Sequence, residues 1–188
     1  HTLKTVALLE RRGQRVETLS GGLQRRVNIA ASLMGMPKVL LLDEPQVGVD
    51  QEGRETLVET LRALQAYGTT LILVTHDLGV VAQMAAEVAV MYWGRIVEYG
   101  EVTKIFQRPE HPYTEALMRS LPGLHIERQS ELAAIRGSVP DPFRQLAGCA
   151  FHPRCDECEA GLCDAGERPV LREITSGHLS ACLRRGPD

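Results

Sequence analysis

The run Val39-Leu40-Leu41-Leu42-Asp43-Glu44-Pro45 follows Leu19-Ser20-Gly21-Gly22-Leu23-Gln24-Arg25-Arg26 by the length of one helix, and no other feature of the 188 residues restricts the fold as much. Four apolar residues ending in Asp-Glu predict a buried parallel strand with two carboxylates at its C-terminal edge, where open α/β sheets bind ligands. A serine and two glycines opening a helix predict an anion cradle. Small residues let backbone N–H groups approach an oxygen, and the helix dipole favours negative charge there.

Apolar runs and helical periodicities alternate downstream. The helix opening at Ser20 is predicted to continue through Asn28 to Met34 and to end at Gly35 and Pro37. Leu57, Leu61 and Leu64 recur at helical spacing over 53–66, with Gly68 closing the helix. Thr70 to Val74 reads as a second buried strand ending at Thr75-His76-Asp77, and Val80, Val81 and Met84 mark a short helix. Val88 to Tyr92, Trp93-Gly94-Arg95 and Ile96 to Tyr99 read as a hairpin. The fold class is therefore α/β, with a parallel sheet and an antiparallel edge.

The predicted organisation has three parts: 1–100, 101–148 and 149–188. The second part carries two short helices interrupted by Arg108-Pro109-Glu110-His111-Pro112, with Pro112 suited to a first helical position, and then an irregular linker over 122–148. The third holds all five cysteines and has little apolar periodicity, so it is predicted to need a staple such as a metal. A formal net charge of −3 argues against a nucleic-acid partner, although residues 1–30 are locally basic. No run reaches the ~18 apolar residues of a membrane span, and nothing resembles a signal peptide, so a soluble chain is expected.

G-x-x-x-x-G-K-[ST] occurs nowhere in the sequence, and the chain starts at His1 rather than Met. A phosphate-wrapping loop is therefore expected upstream of the residues given.

Taken together, Ser20-Gly21-Gly22, Asp43-Glu44, Asp50 and His76 stand in one order at strand and helix ends, and here the chain resembles the ATP-binding cassette ATPases of membrane transporters. By that resemblance it would be the C-terminal part of a P-loop ATPase domain plus an extension. Leu19 to Leu23, with Gln24, matches the signature segment that contacts ATP held by a partner subunit. Val39 to Glu44 looks like the Walker B strand, Val47 to Asp50 like the D-loop, and His76 like the switch histidine. The resemblance implies ATP and Mg²⁺ as cofactors and Glu44 and His76 as catalytic residues. Asp43 would hold Mg²⁺, and Ser20, Gly21, Gly22, Gln24 and Asp50 would contribute to nucleotide binding. Gln46 departs from the usual Ser or Thr and leaves the D-loop's hydrogen bonding open.

Thr75 to Ala82, Val90 to Glu98 and His111-Pro112-Tyr113-Thr114-Glu115-Ala116-Leu117 are similar to the branch serving dipeptide and oligopeptide importers. The implied setting is the cytoplasmic face of the inner membrane. The implied partners are a second ATPase subunit, identical or homologous, membrane-embedded permease subunits and, indirectly, an extracytoplasmic peptide-binding protein. The alternative is a non-hydrolytic, cluster-bearing interaction or sensing module on a degenerate cassette.

Cys149, Cys155, Cys163 and Cys182 supply four soft thiolates suited to an iron–sulfur cluster or to Zn²⁺. A [4Fe–4S] cluster is what the resemblance implies. Cys155-x2-Cys158 is itself a good ligand pair, which leaves Cys158 or Cys163 as the third ligand, and unligated thiols are a further reading. His152 and His178 flank the set as secondary candidates. His111, Pro112 and Tyr113 are read as packing residues.

Overall fold

The computed structural model describes residues 2–49, 51–120, 135–138, 140, 141, 143 and 146–186. Most of the 122–148 linker lies outside these residues. The chain divides into two compact units, 1–84 and 85–188.

The first unit opens with a single helical turn, α1 (Thr2–Thr5), followed by α2 (Gly21–Leu33). Ser20 takes the extended backbone of an N-cap, and α2 closes before Gly35 and Pro37 as its composition predicts. Next come β1 (Val39–Asp43), α3 (Gln51–Ala66), β2 (Thr70–Val74) and α4 (Leu78–Met84). Gly68, at φ 86°, supplies the left-handed residue after α3 that a side chain would resist.

β1 and β2 pair in parallel, from Val39 opposite Thr70 to Asp43 opposite Val74. Leu40 and Leu42 of β1 join Ile29, Leu33, Leu57 and Leu61 in the core. Among the described residues, Val39, Leu41, Ile72 and Val74 are exposed. Period-2 alternation puts them all on the face opposite α2 and α3. At ~25 cal/mol per Å² of apolar surface, covering such a face favours folding.

The second unit begins with the β3 (Glu87–Tyr92) and β4 (Arg95–Glu101) hairpin. Its two-residue turn uses Trp93 and Gly94, both at positive φ, which matches the right-handed twist of the strands. After α5 (Val102–Gln107) and α6 (Pro112–Arg119) the chain returns as β5 (Arg172–Thr175) and β6 (His178–Ser180). The strand order is β3-β4-β6-β5, antiparallel at each pairing. The single sheet with an antiparallel edge expected from the sequence is thus two separate sheets, one parallel and one antiparallel. The tail extends the hairpin rather than standing apart from it.

Candidate functional site

β1 delivers Asp43 and Glu44 to the C-terminal edge of the parallel pair, where the Glu44 N–H donates to the Val74 carbonyl at 2.8 Å. Glu44 itself turns to φ 44°, a left-handed conformation unusual for a non-glycine residue and typical of sites that hold a side chain in a fixed direction. Its Oε1 lies 2.7 Å from His76 Nδ1 and accepts the His76 backbone N–H at 3.2 Å. The bond from His76 and its charge hold the Glu44 carboxyl below the ordinary glutamate range, partly opposed by burial. Glu44 therefore stays a carboxylate at neutral pH.

Oε2 accepts from Gln46 Nε2 at 2.7 Å, and the same Nε2 donates to Thr75 Oγ1. Gln46 is buried, so the departure noted in the sequence fixes Glu44 from the side opposite His76. Its Oε1 is a buried acceptor with no partner. Thr75 Oγ1 in turn accepts the Asp77 N–H at 3.0 Å, tying the end of β2 to the start of α4. Gln46 and Thr75 are site residues that the sequence reading missed. The available signal was their position at the ends of the two strands flanking Glu44.

Arg25 Nη2 donates to the backbone carbonyls of Asp43 and Glu44, so the first turns of α2 clamp the strand end. Gln24 Nε2 caps the Leu19 carbonyl at 2.9 Å, which turns Gln24 back on its own loop. Ser20 and Gly21 are exposed, and the Ser20 side chain makes no capping bond. A Cβ on Gly22 would lie 3.5 Å from the Val49 side chain, in ordinary contact. The 45–49 loop therefore packs behind the two glycines and leaves Ser20 outward. Asp50 lies outside the described residues.

Within the second unit the cysteine region is organised by backbone pairing. Gly148 N–H donates to the Gly166 carbonyl at 3.0 Å and Cys149 N–H to the Cys163 carbonyl at 2.8 Å. Gly148 is at φ 64°, and a Cβ there would stand 2.3 Å from the Cys163 carbonyl oxygen. Only glycine permits this approach. Burial raises the thiols of Cys149, Cys155 and Cys182, that of Cys155 to about 11. Charge repulsion adds to it: Cys149 is raised by Cys182 and Cys163, Cys155 by Cys149 and Cys182, and Cys182 by Cys163.

Nearby backbone N–H groups partly oppose this rise, those of Phe151 and His152 at Cys149, Glu157 at Cys155, and Arg184 and Arg185 at Cys182, while the Glu159 N–H donates to Cys163 Sγ at 3.5 Å. Cys158 is exposed. Among the described residues, no group of three or more His, Cys, Asp or Glu side chains is arranged to hold a metal ion.

The two flanking histidines have other partners. His178 Nε2 lies 2.7 Å from Glu98 Oε1, both buried, and His152 Nδ1 lies 2.8 Å from the Cys149 carbonyl. His111 is the N-cap of α6, its Nδ1 accepting the Tyr113 N–H at 3.1 Å with Pro112 in the first helical turn. Tyr113 packs on Tyr92 and Phe151 with ring centroids 4.6 and 5.4 Å away. The packing assignment for His111-Pro112-Tyr113 agrees with this geometry.

A parallel strand pair with a carboxylate dyad at its edge, fed by a glycine-opened helix, is the architecture of an ATP-binding cassette, and comparison with known proteins agrees. Residues 1–47 match the ABC transporter family model, and residues 97–163 match that of the oligopeptide/dipeptide transporter C-terminal region. A Sinorhizobium fredii protein named "Probable peptide ABC transporter ATP-binding protein" is 44% identical over 88% of this chain and 49% of its own length. A Brucella ovis protein named for peptide import and ATP binding is 40% identical over 93% of this chain and 53% of its own. The crystal structure of the ADP conformation of an ATP-binding cassette of an ABC transporter superposes with a TM-score of 0.54. It is 26% identical and covers 61% of this chain and 46% of its own.

The chain belongs to the ATP-binding cassette family of ABC transporters, in the branch that carries the oligopeptide/dipeptide transporter C-terminal region. It spans about half the length of the curated relatives it matches.

Proposed function

We propose that the whole protein is the ATP-hydrolysing, energy-coupling subunit of a peptide importer, and that Glu44 is its catalytic base. The observation that carries this reading is the Glu44 carboxylate at the edge of β1, held on one oxygen by His76 and on the other by Gln46. A carboxylate so fixed can polarise an attacking water, and His76 beside it can stabilise charge that develops on a transferred phosphoryl group. Asp43, exposed at the last position of β1, would hold Mg²⁺, which neutralises phosphate charge when bound.

The outward Ser20 and Gly21 suit contact with ATP carried by a second subunit, identical or homologous. Permease subunits and, through them, a peptide-binding protein complete the proposed assembly at the cytoplasmic face of the membrane. No helix among the described residues is long and apolar enough to cross a membrane.

The finer part of the proposal concerns the cysteines. Cys149, Cys155, Cys163 and Cys182 would hold a [4Fe–4S] cluster. Their mutual repulsion as thiolates, which a bound cation relieves, and the Glu159 N–H donated to Cys163 Sγ support this choice. Resident iron and a visible absorbance in anaerobically purified protein test this part, and colourless, iron-free protein refutes it.

The principal test is Glu44→Gln in the full-length protein. The expected outcome is loss of ATP turnover with ATP binding retained. Turnover at the normal rate removes Glu44 from its role.

A further inference from the structure

Cys158 is the one cysteine left outside the proposed ligand set, and its surroundings give it a partner. The segment after it folds back: Leu162 N–H donates to the Glu159 carbonyl at 3.2 Å, and Cys163 N–H to the same oxygen at 2.8 Å. Gly161, at φ 81°, makes the reversal possible without strain, and Asp164 Oδ1 braces it by accepting the Gly161 N–H at 2.6 Å. The result places Cys163 Sγ 3.5 Å from the Glu159 backbone nitrogen, against the peptide that joins Glu159 to Cys158. Burial first, and then the neighbouring Cys163 thiol, raises the Cys158 thiol. Cys158 is exposed while Cys163 is buried, so a solute can reach only the first.

We infer that Cys158 and Cys163 are a redox-active pair that closes to an intramolecular disulfide when no metal group occupies Cys163. The oxidant class is a small disulfide such as oxidised glutathione. The Cys158 thiolate attacks one sulfur of that disulfide, forming a mixed disulfide and expelling one glutathione thiolate. The Cys163 thiolate then attacks the Cys158 sulfur, forming the Cys158–Cys163 bond and expelling the second glutathione. The two protons released from the cysteine thiols are taken up by the two departing thiolates. Two protein thiols are oxidised and one glutathione disulfide is reduced. Closure removes Cys163 from the set available to a metal, so exposed Cys158 gives that site an oxidant-sensitive edge.

The experiment uses full-length protein stripped of metal by a chelator, so its result does not depend on whether a cluster is the natural occupant. The protein is equilibrated with mixtures of reduced and oxidised glutathione, quenched in acid and alkylated. A glutamate-specific protease, which separates the two cysteines at Glu159, then allows mass spectrometry to identify the pairing. The expected result is two linked peptides joining Cys158 to Cys163, with Cys149, Cys155 and Cys182 alkylated. Cys158→Ser, a change at an exposed site, should abolish the linked species and leave Cys163 alkylated, whereas Cys155→Ser should leave the linkage intact. Pairing of Cys158 with Cys155, a glutathione adduct that never resolves, or no oxidation at Cys158 would each overturn the inference. Failure of the cluster reading shows separately, as absence of iron before stripping.

Discussion

Replacing Glu98 gives the most demanding test of the second unit's architecture. This carboxylate is fully buried on β4, and its Oε1 takes both the Glu110 backbone N–H and His178 Nε2 at 2.7 Å, while Oε2 takes the His111 N–H at 3.1 Å. One side chain thus ties the hairpin, the start of α6 and strand β6 together across 80 residues of sequence. In Glu98→Gln the amide oxygen can keep the Oε1 position and its two donors. The amide NH₂ then faces the His111 N–H, donor against donor, at a cost of about 1–3 kcal/mol for one buried unsatisfied group. Glu98→Ala orphans all three donors and leaves a void, and breaking a buried pair in this way costs about 3–5 kcal/mol.

Urea unfolding followed by the fluorescence of Trp93, the only tryptophan, reads this unit directly, because the ring lies in the β3–β4 turn under the Arg168 guanidinium at 4.4 Å. With urea slopes of ~1–3 kcal/mol per M, the alanine midpoint should fall by about 1 M or more and the glutamine midpoint by less. Equal shifts for the two variants, or shifts under about 0.5 kcal/mol for both, would refute the claim that this network organises the unit.

Three further outcomes follow from the same geometry. Burial first, and then Arg185, lowers the His111 pKa from 6.5 to about 4, so the unfolded chain binds more protons than the fold between those values. Stability from this group is present above about pH 6.5 and is lost as pH falls towards 4, by roughly 3 kcal/mol in all; His111→Asn, which keeps an N-cap acceptor, should flatten the dependence in pH-resolved urea titrations. Gly148→Ala should force apart the 148–149 and 163–166 segments, seen as faster amide exchange of Cys149 and lower iron incorporation; unchanged exchange would contradict the close backbone approach. Gln46→Glu should set a second carboxylate against Glu44 Oε2, raise the pKa of the pair, and shift the acid limb of ATP turnover by the full-length protein to higher pH.

The elements with strong local signals were legible in the sequence. Ser20, Gly35 and Pro37 bracket α2, Gly68 ends α3, and Trp93-Gly94 turns the hairpin, each because one residue type satisfies a backbone requirement there. Asp43, Glu44 and His76 could be assigned to strand ends because apolar runs stop beside them, and the structure brings Glu44 and His76 into contact. What could not be read was long-range. β5 and β6 are four and three residues long, too short for a periodicity, and β6 is recruited by pairing Ser180 with Glu98. His178 looked like a spare metal ligand because its partner Glu98 lies far upstream. The role of Gln46 stayed open because it comes from Thr75, just past the end of the neighbouring strand.

The central claim is that Glu44 of one subunit and Ser20 of another act on the same nucleotide. It is tested most directly by mixing full-length Glu44→Gln and Ser20→Arg proteins, each inactive alone, and measuring ATP hydrolysis after subunit exchange. The account predicts that activity returns, because the mixed pair contains one site with an intact Glu44 and an intact Ser20. A mixture that stays inactive, while wild-type protein taken through the same exchange retains turnover, would contradict it.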